Sequence, residues 1–390
     1  MNDSDRRKYT RNIVLYYCYF VAVDPWFWEV ILISSLMNLA HMTLSEIYFM
    51  ESVVMLLYTF FEVPSGALAD YVGRKYTIFC GSLLIAFAIL WFAIMDSAFD
   101  AWGANIVVMI GIAFCSGADR AFLSDTLHVL GRESELTKIQ GRAMGLRWFV
   151  VAWTSLVCGY LAEIDLRLPL YLSVPNVVLA CVFVVFFTEP FKRSSGKKKI
   201  QSFTDVIHVT FTTLRGVWRL MIVSLVFVVN NKRVKWIIGF FTLLSVSSKV
   251  WFFSYNPYFE LVDLKYRYFG VLFCALNLIA CISSFSAYKV VRSMKEKNVL
   301  MLVCGIIGVP IFLMGAFVVK GMASMVVMQN IARGLIGPLH IGMIDVYLTP
   351  ENKATVQSIS SATRGVAEFF VLACYGLLAA FAGLSNALMV

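Results

Sequence analysis

Asp24, Glu29, Asp119, Arg120, Lys249 and Arg333 each interrupt a long apolar run. A charge near the centre of a bilayer costs about 2.5–3.5 kcal/mol on insertion scales, so such residues are functional candidates. A carboxyl group there can load and release a proton, because desolvation favours its neutral form. Asp119 and Glu29 are the better candidates for that role, and Arg120 beside Asp119 opposes the neutral form and ties protonation to geometry. Asp24 and Lys249 hold matching places in two related segments, Asp24-Pro-Trp26-Phe27-Trp28 and Lys249-Val-Trp251-Phe252-Phe253. Opposite charges at these places either pair with each other or take the two ends of a zwitterionic or amphiphilic solute. Trp26 and Trp251 either pack or add an apolar wall that tolerates cations. Pro25 removes a backbone hydrogen bond next to Asp24, and a helix broken there frees polar groups that a cavity or a neighbour must satisfy.

Other chemistry has little support. The nine cysteines are scattered singly with no C-x-x-C, and the four histidines lack ligand spacing. There is no H-E-x-x-H, no G-x-S-x-G and no glycine-rich nucleotide loop. The expectation is no metal, no cofactor and no enzymatic activity.

The elements that must position these charges are membrane spans. The chain has 390 residues, 60% of them hydrophobic and 15% charged, which no water-soluble core requires. Segments near the ~20 residues needed to cross a bilayer fall at 12–36, 44–68, 76–96, 102–127, 141–163, 168–188, 236–259, 268–288, 299–319, 322–347 and 356–382. The first span lacks a small-residue cleavage site, so no cleaved signal peptide is expected. Connections are short except 189–235, a charged linker leading into an apolar stretch at 203–231 with cations at both ends. That stretch is expected to lie as an interfacial helix on the cytoplasmic face. The net charge of +9 is topological rather than a sign of nucleic-acid binding. Most cations, from Arg6 to Lys353, fall on one side, and the other holds only Arg167, Lys265, Arg267 and Lys320. The positive-inside rule then makes the N-terminus cytoplasmic.

The chain also repeats. Asp24 matches Lys249 at an offset of 225, Gly117 and Asp125 match Gly337 and Asp345 at 220, and Gln140, Arg147 and Gly159 match Gln357, Arg364 and Gly376 at 217. Two related halves, 1–188 and 236–390, are therefore expected, joined by 189–235. The central charges fall in spans 1, 4, 7 and 10, and spans 3, 6, 8 and 9 carry none in their interiors. After Gly383 a twelfth span is missing or barely begun, with truncation favoured over an eleven-span chain.

The most specific motif is Gly66-Ala-Leu-Ala-Asp70-Tyr-Val-Gly73-Arg74-Lys75, after a helix carrying Glu62-Val-Pro64-Ser. Gly66 suits close helix approach and Gly73 a tight turn. Arg74 and Lys75 are cations at a cytoplasmic edge. The motif resembles the loop-2/3 signature of the major facilitator superfamily of secondary transporters. The resemblance implies an all-α polytopic membrane fold, two pseudo-symmetric six-helix bundles around a central cavity lined by spans 1, 4, 7 and 10. It further implies that Asp70 meets the start of span 11 and that Arg74 pairs with an acid at the end of span 4, where Asp125 stands. These contacts would join the halves and break when the cytoplasmic side opens. Arg147 and Arg364, about two turns further in, would belong to the same gate, unless Arg364 pairs locally with Glu368 at i+4. Span 5 lacks the Gly-Pro-Gly-Gly pattern of drug–proton antiporters.

The expected function is secondary active transport of a small organic solute by alternating access, coupled to protons, with export favoured. The alternatives are proton-coupled uptake of a zwitterionic or anionic solute, with Lys249 and Arg333 holding its carboxylate, or a non-transporting sensor or scaffold. The expected partners are solute, protons and the lipid bilayer, for a monomer in the plasma membrane, most simply a bacterial inner membrane.

Overall fold

The computed structural model describes residues 3–190, 228–293, 296–348 and 350–389, which form helices and short connections. The helices are α1 (Asp3–Ala22), α2 (Leu32–Asn38), α3 (Leu44–Val72), α4 (Arg74–Ile94), α5 (Ala98–Leu130), α6 (Leu136–Ile164) and α7 (Arg167–Val185). They continue as α8 (Lys232–Leu261), α9 (Tyr266–Ser293), α10 (Glu296–Ala316), α11 (Met325–Ile344), α12 (Pro350–Ala382) and α13 (Leu384–Met389). Among the described residues nine stretches are long and apolar enough to cross a membrane. The expected interfacial helix lies in 191–227, outside the described residues, for all but its last few positions.

Side chains at the connections set where helices begin. Thr43 and Glu46 cap α3 reciprocally, with the Thr43 N–H donating to Glu46 Oε2 at 2.8 Å and the Glu46 N–H to Thr43 Oγ1 at 3.3 Å. Asn231 accepts from the N–H groups of Arg233 and Val234, which starts α8 at Lys232 rather than at the expected 236. Gly73 takes φ +116° between α3 and α4, a conformation that side-chain-bearing residues rarely adopt.

The first expected span, 12–36, is not one helix. α1 stops at Ala22 and α2 starts at Leu32, with turns between them around Asp24-Pro25. Its counterpart α8 runs through Lys249 unbroken. The related halves thus differ at the place where their matched charges sit.

Within the N-terminal half α4 packs on α5 and α7, α3 on α5, and α1 on α5, α6 and α7. In the C-terminal half α11 takes α8, α9 and α10, and α8 also meets α12. α4 shows how the bilayer selects faces. Leu83, Phe87, Leu90 and Ile94 recur at helical spacing and are exposed, as lipid contact requires, while Ile78, Ile85, Ile89 and Phe92 are buried.

Two long contacts join the halves, α6 with α9 and α3 with α12. Both are close. A Cβ on Gly159 would stand 2.7 Å from the Tyr266 carbonyl oxygen and 2.9 Å from the Gly270 nitrogen. One on Gly376 would stand 2.8 Å from Tyr48 Cβ. A Cβ on Gly66 would meet nothing among the described residues within 4 Å, while one on Gly117 of α5 would stand 4.0 Å from the Gly66 Cα.

Candidate functional site

The break in the first span leaves main-chain polar groups at membrane depth, and side chains of α6 and α7 satisfy them. Asn176 Nδ2 donates to the carbonyls of Ala22 and Asp24, at 2.8 Å each, and its Oδ1 accepts from the Trp26 N–H at 3.4 Å. Ser173 Oγ accepts from the Phe27 N–H at 3.1 Å, and Thr154 Oγ1 donates to the Trp26 carbonyl at 2.9 Å. The Cys158 thiol donates to the Phe27 carbonyl at 2.9 Å. Trp26 turns its indole N–H back to the Val21 carbonyl, at 2.8 Å. Buried backbone groups need such partners, so this cradle is what makes a discontinuous helix tolerable here. Pro25 signalled the break in the sequence; nothing there identified the residues that satisfy it.

The cradle holds Asp24 against Arg147, with Nε 2.6 Å from Oδ2 and side chains 21% and 31% exposed respectively. In this arrangement Asp24 thus pairs within its own half, with Arg147, rather than across to Lys249. Arg147 also lies within electrostatic reach of Glu29 and Asp119. Asp119 has Arg120 and Arg147 as cationic neighbours.

A second pair crosses between the halves. Both terminal nitrogens of Arg333 lie 3.4 Å from Glu29 Oε1. The side chains are 32% and 15% exposed, so the pair faces a space rather than a packed core. The Arg333 guanidinium stacks 4.9 Å from the Trp148 ring centre and 5.4 Å from that of Phe252. The aromatic wall is thus built from Trp148 and Phe252. Trp251, the expected wall residue, is 1% exposed and packed away. Trp148 follows Arg147 in the sequence, where one more aromatic among many gave no signal.

Lys249 lies 5.2 Å from the ring centre of its own-helix Phe253 and within electrostatic reach of Glu51 on α3. Glu51 is an acid in span 2 that the pattern of central charges left out. Arg364 likewise acts across the halves on Glu62, and the expected local pair with Glu368 is replaced by a 3.5 Å contact with Ser361 Oγ.

At the cation-rich face Arg74 Nε meets Asp125 Oδ2 at 3.3 Å, the expected partner. Both residues belong to the N-terminal half, so this pair braces one half instead of joining two. The brace includes Glu189, which the sequence assigned to the linker. Its carboxylate accepts from the N–H groups of Arg74 and Lys75, at 2.8 and 2.9 Å, capping α4 where the helix dipole favours an anion. Lys75 Nζ donates to the carbonyls of Val185 and Phe187 at the end of α7. The Asp70 side chain lies outside the described residues, as does its expected contact with the start of span 11.

The opposite face carries the side-chain hydrogen bonds between the halves. Asn38 Nδ2 donates to Glu260 Oε1 at 3.2 Å, the Arg267 N–H donates to Glu163 Oε1 at 3.3 Å, and Asn256 Nδ2 donates to the Val30 carbonyl at 2.9 Å. Tyr48 and Ser254 share a hydrogen bond of 2.6 Å. The hydrogen bonds and ion pairs linking described residues of the two halves lie at Glu29–Arg333 or outward of it.

The fold of this chain is shared with solved transporters. The nucleoside transporter NupG superposes with a TM-score of 0.75 at 13% identity, covering 100% of this chain and 95% of its own. A POT family transporter in complex with 5-aminolevulinic acid gives 0.72 at 13% identity, covering 97% and 92%. A D-xylose-proton symporter gives 0.66 at 10% identity, covering 98% and 96%. No curated protein matches the chain by sequence. The family model described as Major Facilitator Superfamily matches residues 15–385. With that match over nearly its whole length, the chain is a multi-pass membrane protein and belongs to the major facilitator superfamily.

Proposed function

We propose that this protein is a secondary transporter that carries a small zwitterionic organic solute by alternating access, coupled to protons. The observation that supports this most is the Glu29–Arg333 pair, an acid of one half and a base of the other, partly exposed and walled by Trp148 and Phe252. A solute with both charges can insert between them, its ammonium on Glu29 and its carboxylate on Arg333. Binding then exchanges one ion pair for two and leaves no bare charge in a low dielectric. The flanking rings suit an apolar body. Because its two contacts belong to different halves, such a solute has a different affinity in each arrangement of the halves, and that difference is what drives a transition. Small organic solutes are also the kind named for the structural neighbours, 5-aminolevulinic acid, nucleoside and xylose among them. The cation-rich face is read as cytoplasmic, with the N-terminus on that side, in a bacterial inner membrane. One chain supplies both sides of the site, so a monomer suffices.

Reconstitution in liposomes with an internal pH-sensitive dye tests the reading. Zwitterionic amphiphiles are expected to trigger proton flux in the parent protein. Glu29→Gln and Arg333→Gln each remove one charge-assisted contact and are expected to weaken apparent affinity by roughly tenfold or more. Solute-driven flux that ignores both substitutions, or no flux with any zwitterion from folded protein, overturns it.

A further inference from the structure

One acid stands apart from the paired charges. Glu51 closes the second turn of α3, inside the membrane-crossing stretch Leu44–Glu62, and is 2% exposed. Its hydrogen bond comes from a neutral donor, Asn105 Nδ2 of α5, at 2.9 Å from Oε1. Among the described residues the only charged or titratable group that acts on it is Lys249 of α8, in the other half, and the two are not in ion-pair contact. The other central acids have either an ion-pair partner or two cations in reach. Asp24 has Arg147, Glu29 has Arg333, and Asp119 has two arginines in reach.

We propose that the Glu51 carboxyl is a proton-binding site of the transport cycle and that Lys249 is the countercharge that drives the proton off. The inference rests on the transport reading above and gives its proton a place. A buried carboxylate with one neutral donor is uncompensated, so it takes a proton or gains a cation. A lysine in reach argues against a metal ion as that cation, because like charges repel. The surroundings make the choice depend on conformation. Tyr48, three residues before Glu51, is hydrogen-bonded to Ser254, five residues after Lys249, so α3 and α8 are latched beside the acid and the base. Parting the halves on this outer face breaks the latch and draws Lys249 away, which favours uptake of a proton from water on that side. Closing the face returns the cation and favours release of the proton to water on the other side. No other bond forms or breaks.

The test uses the full chain in lipid nanodiscs and reads the infrared C=O band of protonated carboxyls while pH is varied. A band present in the parent protein and lost in Glu51→Gln is expected. In Lys249→Met the same band is expected to persist to higher pH, since removing a cation favours the neutral acid. In liposomes Glu51→Gln should lower gradient-driven accumulation about tenfold while solute exchange without a gradient continues. An undiminished band in Glu51→Gln, an unmoved titration in Lys249→Met, or full gradient-driven accumulation by Glu51→Gln overturns the proposal. The infrared measurement needs no solute. A protein that moves no zwitterion yet shows the Glu51 band refutes the transport reading and not the proton site. Coupled transport without a Glu51 band does the reverse.

Discussion

Asp24 and Arg147 show how a single contact reorganises a reading of charges. The 2.6 Å pair sits where the chain leaves its helix, and Asn176 fixes the Asp24 backbone at the same point. Either partner alone in this setting is a bare charge, and breaking such a pair is costly. Asp24→Asn and Arg147→Gln are each expected to abolish most transport. The exchanged double variant Asp24→Arg with Arg147→Asp should recover part of it, with a coupling energy of about 0.5–3 kcal/mol from a double-mutant cycle on thermal unfolding. The exchange of Asp24 with Lys249 should rescue nothing, because these two residues are not partners. Equal rescue by both exchanges would show that net charge, not this contact, matters.

Helix elements carry the motion, and the matched glycines mark where they touch. Gly159 and Gly376, equivalent at the 217-residue offset, each allow one half's helix to lie against the other half. Small residues at such crossings let backbones approach closely within a membrane. Gly159→Val or Gly376→Val should wedge α6 from α9 or α3 from α12 and shift the population toward a form open on this face. Spin labels placed across the outer ends of the halves would read the change as a longer distance. An unchanged distance distribution in both variants would show that these crossings stay packed throughout the cycle. Within the N-terminal half the links are different. Glu189, Arg74, Lys75 and Asp125 tie α4 to α5 and α7 so that the half can move as one body.

At the scale of the whole molecule the side-chain hydrogen bonds between the halves lie away from the cation-rich face. Gly117 is exposed and Ser254 is fully buried. In a background without the native cysteines, Gly117→Cys should react with a membrane-impermeant thiol reagent applied from the cation-rich face. Ser254→Cys should stay protected until solute and a proton gradient set the cycle running. The reverse pattern of protection would mean that the resting protein is open on the other face.

Much of this architecture was legible in one dimension. Hydrocarbon thickness sets the length of an apolar span, so most of the spans could be placed from composition, and the related segments keep their order at an almost constant offset. Pro25 marked the broken span, Gly73 the turn, and the Arg74–Asp125 contact followed from the family resemblance. The partnerships at the centre were not legible. Asp24 and Arg147 are 123 residues apart, and Glu29 and Arg333 are 304 apart. Hydropathy says that each of these charges is costly in a membrane, but not which one relieves another. That depends on how helices rotate and cross, at distances of a few ångströms. The same holds for Glu51, whose sequence neighbours do not show that it is buried against a neutral amide with Lys249 across the gap. The sequence alone thus determined the polytopic helical character, most of the spans, the repeat and most of the costly charges, because the bilayer constrains every span in the same way. The tertiary structure alone decided which of those charges are paired and added Glu51, an acid that the pattern of charges had left out, because pairing and burial are properties of helix packing.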